Sequence, residues 1–159
     1  MKKELTKMTQ YWLTITTREN FNVSSYRKFD IDGYKNIYSK KVNQIEPENK
    51  FICYIMQECL FGCIYQAITK YAPYNDDKAL RGLIWADEKR AGHEIYTLRF
   101  RTEPILELEN DNMLDARSVV KNLKFVTNKE YWGSHFHTSL REIPKEDFDF
   151  IESEMKKLF

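Results

Sequence analysis

The chain has 159 residues, enough for one domain and short for two, and a domain of this size withdraws roughly two-thirds of its unfolded surface from water, so a core can hold it without staples. An apolar fraction of 42% beside 31% charged residues describes a globular protein with a charged exterior, and no apolar run approaches the ~20 residues of a membrane span. Lys and Arg total 25 against 24 Asp and Glu, a formal charge of +1, which excludes coating of nucleic acid by bulk electrostatics and leaves only a local basic groove.

Residues 1–9 are polar and basic and are expected to form a flexible tail, with 10–159 a single domain. The start Met1-Lys2-Lys3-Glu4 has no apolar signal core, so the expected location is cytoplasmic. Tyr11 to Thr17 is aromatic and β-branched, a buried strand. Arg18 to Phe29 turns polar and suits a short helix, and Asp30-Ile31-Asp32-Gly33 has turn chemistry. Lys35 to Val42 is a short helix or irregular arm, and Glu46-Pro47-Glu48-Asn49 a turn before a strand at Lys50 to Gln57. Leu60 to Tyr71 follows so closely that the two strands should pair as an antiparallel hairpin.

From Ala72 to Gly92 the period is lost, and this long loop carries one large aromatic, Trp85. Glu94 to Arg101 alternates as a strand, Pro104 to Glu109 suggests a further short one, and Asp115 to Leu123 a helix with an acidic cap. Leu140 to Ile143 predicts a strand, and Pro144 opens a helix whose Phe148, Ile151, Met155 and Leu158 form one apolar face. Glu146, Asp147 and Asp149 at its start and Lys156 and Lys157 at its end complement the helix dipole. The sum is α+β: a curved sheet or small barrel with helices packed on it.

Cys53, Cys59 and Cys63 are odd in number and lack CxxC spacing, which suits small buried groups in a reducing compartment rather than a disulfide framework or zinc site. Ten Tyr, ten Phe and three Trp make 14% of the chain, ample for a core and for a pocket holding a flat ligand. The nucleotide loops GxxxxGK[ST] and GxGxxG are absent, as is the GxSxG elbow.

Several of these stretches, in order, resemble the EVE domain family, part of the PUA-like group that includes the YTH readers of methylated RNA. Tyr11-Trp12-Leu13 with Thr17-Arg18-Glu19-Asn20 is similar to the family's first strand and its exit. Asp30-Ile31-Asp32-Gly33 stands where relatives carry an Asn-Val-Trp-Gly type turn, and Glu46-Pro47-Glu48-Asn49-Lys50 resembles their Lys-Pro-Gly-Asp turn. Leu123 to Asn128 with Lys129, Trp132, His135-Phe136 and Arg141-Glu142-Ile143-Pro144 is similar to the family's carboxyl end. The resemblance implies a PUA-like curved mixed sheet or small β-barrel flanked by helices. It also implies a concave pocket for one base, often modified, flipped from RNA or DNA; no cofactor and no catalytic residue is expected.

Carried over residue by residue, the resemblance makes Trp85, ahead of Asp87-Glu88-Lys89, the stacking face. The second cage tryptophan of YTH relatives falls at Asp32, an acid that cannot stack but can accept from an exocyclic amine, with Tyr34 as a replacement face. Gly33 would keep the backbone open to close approach, Thr17 and Asn20 would read polar edges, and Lys35, Lys89 and Arg90 are phosphate-contact candidates. The plainer alternatives are a core-capping Trp85, a turn-forming Asp32, and core positions for Trp12 and Trp132. His135-x-His137 suggests a metal only with a third ligand, and none is signalled nearby; His135 fits better as a backbone hydrogen-bonding group or part of the pocket rim.

Three functions follow. The first is a non-enzymatic nucleic-acid-binding module, monomeric or weakly dimeric and without membrane contact. The second is an ASCH-like amidohydrolase acting on a modified nucleoside, with Thr17, Glu19 and Lys35 as its polar set. The third is an interaction protein that dimerises through exposed aromatics.

Overall fold

A computed structural model describes residues 9–73 and 77–159; of the expected tail only Thr9 is among them, and Asn75-Asp76 lie outside. At the centre is β3 (Lys50–Ile55), buried from Phe51 onward. Its side chains alternate between two cores. Ile52 and Tyr54 join Leu13, Ile64, Phe148, Ile151 and Met155. Phe51, Cys53 and Ile55 join Trp12, Phe21, Cys63, Tyr65 and Phe100. A strand covered on both faces has no polar side to show, which explains its unbroken apolar run.

Around β3 the sheet is mixed. β1 (Tyr11–Thr16) runs parallel to β3, and β4 (Leu60–Ala67) pairs with it antiparallel as the predicted hairpin. β5 (Leu98–Glu107) follows β4, the short β2 (Ile31–Tyr34) closes one edge on β5, β7 (Leu140–Ile143) closes the other on β1, and β6 (Leu114–Asp115) adds to β4. The parallel pair requires a long crossover, and residues 17–49 supply it with α1 (Arg18–Tyr26), β2 and α2 (Ser39–Val42).

The sheet curls until its two edges communicate through side chains. The Tyr34 hydroxyl on β2 lies 2.9 Å from Thr14 Oγ1 on β1. Just beyond β2, the Tyr38 hydroxyl accepts from the Ser139 amide at 3.3 Å, and Lys41 Nζ donates to the Leu140 carbonyl at 2.8 Å. The result is the expected α+β architecture, a curled half-barrel flanked by helices.

α4 (Lys145–Lys156) follows the predicted face: Phe148, Ile151 and Met155 are buried. Asp147 does more than complement a dipole, because its carboxylate accepts the amides of Lys124 (2.9 Å) and Phe125 (2.8 Å) and pins that stretch of chain to the helix. Trp12 is core as expected, whereas Trp132 is only half-buried.

Four local expectations are corrected. Residues 31–34 are strand, not turn, because backbone pairing with β5 (Asp32 opposite Phe100, Gly33 opposite Arg99) outweighs Asp-Gly turn preference. The strands expected at 94–101 and 104–109 are one, β5; Pro104, which lacks an N–H, sits at an irregularity where Ile105 goes unpaired, the place a sheet tolerates proline. Residues 116–122 form two short 3-10 turns instead of a helix, with bonds such as Val119 N–H to Ala116 O at 3.0 Å. The 72–92 segment contains a helix, α3 (Ala86–Ala91).

A second irregularity leaves Gly62 unpaired between Cys53–Cys63 and Tyr54–Phe61. A Cβ there would stand 2.8 Å from Phe21 Cζ and 3.0 Å from Met113 Sδ. Phe21 is buried and cannot swing clear. Gly62→Ala is therefore expected to destabilise the fold by about 1–3 kcal/mol, the usual cost of overpacking, seen as a lower urea midpoint with unchanged slope.

Candidate functional site

Where β2 curls over β1, the two strands leave a cavity of about 230 Å³. β1 and its exit contribute Thr14 to Thr17, α1 contributes Asn20, Phe21 and Ser24, and β2 contributes Ile31 to Tyr34. Cys53 and Tyr65 reach in from the central strands, and Trp85 closes one side. The rim carries the exposed Thr17, Lys35 and Met56 and the half-buried Tyr38.

Asp32 stands at the polar end. Its Oδ2 accepts from the hydroxyls of Tyr34 (2.7 Å) and Tyr65 (2.6 Å), and its Oδ1 from the Gly33 amide (2.8 Å). Burial pushes the carboxyl up, and these three donors pull it only part of the way back, leaving it at about 6. Burial and the neighbouring carboxylate together raise both phenols well above their ordinary range, so they stay protonated as donors. The Cys53 thiol is raised by the same burial and is inert as a nucleophile.

Trp85 is held by a charge pair that the sequence reading did not single out. Glu88 and Arg99 are both 0% exposed and meet at 2.7 Å. Trp85 precedes the first turn of α3, and Glu88, three residues on, accepts the Trp85 amide and the Ile84 amide at Oε1, each at 3.1 Å. Oε2 takes the amides of Ile95 (2.7 Å) and Tyr96 (3.1 Å). Burial alone would raise the Glu88 carboxyl; the four amides outweigh it and hold it below the ordinary carboxylate value. Arg99 spends its other donors on the carbonyls of Tyr96, Leu80 and Gly82 and on Glu94. Its guanidinium lies 5.2 Å from the Trp85 ring centre, and the indole N–H donates to Ser24 Oγ at 3.0 Å.

Of the candidate residues, Thr17, Asn20, Asp32, Gly33, Tyr34, Lys35 and Trp85 all line this one cavity. Their parts differ from those expected. Thr17 caps α1 by accepting the Asn20 amide at 3.2 Å. Asn20 is committed to α3, accepting from the Ala86 amide and donating to Asp87 and the Tyr96 hydroxyl. Gly33 does allow a close approach, but by Trp85: a Cβ would stand 3.0 Å from the indole Cη2. The Tyr34 ring is packed against Phe100 and offers the cavity its hydroxyl rather than a stacking face. Trp85 is only 5% exposed, so the core-capping and cavity-lining readings both describe it.

Lys89 and Arg90 lie on α3 outside the lining, and Arg90 is paired with Glu19 at 2.7 Å. His135 accepts from the Asn128 amide at 3.1 Å, the backbone role expected of it, away from the rim. No cluster of three metal-ligating side chains exists among the described residues. A signal for the missed pair was present: Glu88 at the third position after Trp85 is a capping spacing, and Arg99 sits between Leu98 and Phe100 within a strand.

Residues 10–154 match the family model of the EVE domain. A UPF0310 protein of Pyrococcus horikoshii is 28% identical over 153 residues, covering 89% of this chain and 96% of its own. Among solved structures, the Pho92 YTH domain in complex with m6A is similar with a TM-score of 0.65 at 14% identity, over 93% of this chain and 86% of that one. The YTH domain of Zygosaccharomyces rouxii MRB1 in complex with N6-methyladenosine RNA gives 0.63 at 12% identity, over 97% and 91%. At these identities the structural likeness establishes a shared fold.

Two outcomes follow from the geometry. Glu88→Ala leaves a buried guanidinium without its central partner and should cost about 3–5 kcal/mol, with a red-shifted Trp85 emission. Asp32 acts in the opposite sense. The folded carboxyl keeps its proton to about 6 whereas the ordinary value is 3.8, so its contribution to stability is full below the lower value and lost as pH climbs through the upper one. Between about pH 4 and pH 7, Asp32→Asn should therefore gain on the order of 3 kcal/mol relative to the unsubstituted protein. Urea unfolding of both across this range measures the difference, and parallel curves would refute it.

Proposed function

The chain belongs to the EVE domain family, and we propose that it binds nucleic acid by taking one modified base, rotated out of its strand, into the cavity beside Trp85. The observation that carries this reading is the cavity itself: about 230 Å³, walled by an indole and ending on a hydrogen-bonded carboxylate. That volume is below the roughly 300–1,000 Å³ of sites for drug-sized ligands and suits a single flat heterocycle. Stacking on an aromatic wall is worth about 1–3 kcal/mol per base, enough to offset the few kcal/mol of unstacking a flipped base when polar contacts add to it. The solved YTH domains with the same fold were captured with m6A and with N6-methyladenosine RNA, which supports a modified base as the occupant here.

Among the phosphate-contact candidates, Lys35 has the best position, since it is exposed on the cavity rim and pairs with no carboxylate among the described residues. Lys89 and Arg90 would meet only a strand that continues across α3, and Arg90 would have to leave Glu19. The amidohydrolase reading loses its acid for the same reason: Glu19 faces Arg90 and does not line the cavity.

Fluorescence titration with oligonucleotides that differ only in one modified base tests the proposal. Tighter binding of a modified strand is expected, with a loss of about 5–150-fold on Trp85→Ala. Lys35→Ala should weaken all strands alike and lower the salt slope by about 1. Equal affinity for modified and unmodified strands, unchanged by Trp85→Ala, would overturn it.

A further inference from the structure

We infer that Asp32 makes the cavity selective for a heterocycle that presents an N–H donor to its polar end, an amino edge of the adenine or cytosine type, against one that presents a carbonyl; the inference rests on the cavity being a base site. A carboxylate offers about four lone-pair positions. Three are taken, two on Oδ2 by the Tyr34 and Tyr65 hydroxyls and one on Oδ1 by the Gly33 amide. Asp32 is half-buried and lines the cavity, so the remaining acceptor position on Oδ1 is the one left for an occupant.

The groups around it sharpen the preference. Each phenol has one hydrogen, and both are directed into Asp32. Tyr34 and Thr14 lie 2.9 Å apart, and with the phenol hydrogen already used, the Thr14 hydroxyl must be the donor in that contact. Every hydrogen of this polar group is thus turned inward, and what faces the cavity is an acceptor. A carbonyl edge placed here meets lone pairs and leaves its own acceptor unpaired. A dialkylated amine, which has no N–H, fails likewise, while a monoalkylated one keeps a single hydrogen.

Ionisation is part of the device. The groups facing Asp32 are Tyr34 on β2, Tyr65 on β4, Cys53 on β3 and, through Tyr34, Thr14 on β1, all of them neutral. Among the described residues no Lys, Arg or His forms an ion pair with it. Once protonated, the carboxyl becomes a donor, and the bias against a carbonyl must weaken.

The test uses short oligonucleotides of one sequence carrying, at a single position, N6-methyladenine, N6,N6-dimethyladenine or 1-methylhypoxanthine, whose edge has a carbonyl and no N–H. At about pH 8 the monomethyl strand should bind about 5–150-fold tighter than the other two, the range for one unsatisfied buried hydrogen-bonding group. The gap between monomethyladenine and 1-methylhypoxanthine strands should narrow at about pH 5. Asp32→Asn, which keeps one oxygen for the phenols and puts an N–H₂ in place of Oδ1 at the cost of the Gly33 bond, should abolish or reverse it. Binding of all three strands with the same ratios in both proteins and at both pH values would overturn the inference while leaving the base site standing. No binding of any strand would overturn the base-site reading and this inference with it.

Discussion

The buried pair of Glu88 and Arg99 is the constraint on which the site depends. A loop from residue 80 to residue 97 has little regular structure of its own, and such a segment ordinarily cannot place a large aromatic side chain reproducibly. Here one carboxylate gathers four backbone amides from both ends of the loop, and one guanidinium gathers three carbonyls from the same stretch. The desolvation cost of a buried ion pair is offset only when the remaining donors and acceptors are satisfied. Among the described residues no buried side-chain polar atom lacks a partner. Because Arg99 also lies over the Trp85 ring, the network that folds the loop also fixes the indole.

The cavity itself is a consequence of sheet curl. β2 and β1 are sequence neighbours separated only by α1, yet β2 is one end of the strand order and β1 stands next to the other end, and they meet through the Tyr34–Thr14 contact rather than through a backbone ladder. A closed ladder would have filled that space with paired main chain. An edge closed by side chains leaves room, and α1 and α3 wall it from outside through Asn20, which bonds both the Ala86 amide and the Asp87 carboxylate.

Much of this was legible in the residues, for identifiable reasons. β1, the β3–β4 hairpin and α4 have strong periods or continuous apolar runs, and the order of weak motifs pointed to the family. What escaped detection was decided by partners distant in sequence. Asp32-Gly33 has turn composition but is drawn into a strand by β5, more than sixty residues away. Pro104 looked like a strand end and is a bulge. At the site, the residue types were legible but not their roles: Gly33 yields its space to Trp85, and Asn20 is consumed by α3. The place of Arg99 between Leu98 and Phe100 is a local cue, but it does not identify the partner, because the neutralising carboxylate comes from Glu88 on α3.

The region around the cavity thus holds two carboxylates in opposite circumstances. Glu88 has a guanidinium and four amides, so burial is overcome and its carboxyl is held below the ordinary value. Asp32 has three donors and no cation, so burial prevails and its proton is exchangeable near neutrality. An ionised Asp32 weakens the fold above its folded-state titration point. The same loop geometry that holds Glu88 below its ordinary value also holds Trp85, which lines the cavity with Asp32, so a fixed wall and a titratable end share one small cavity.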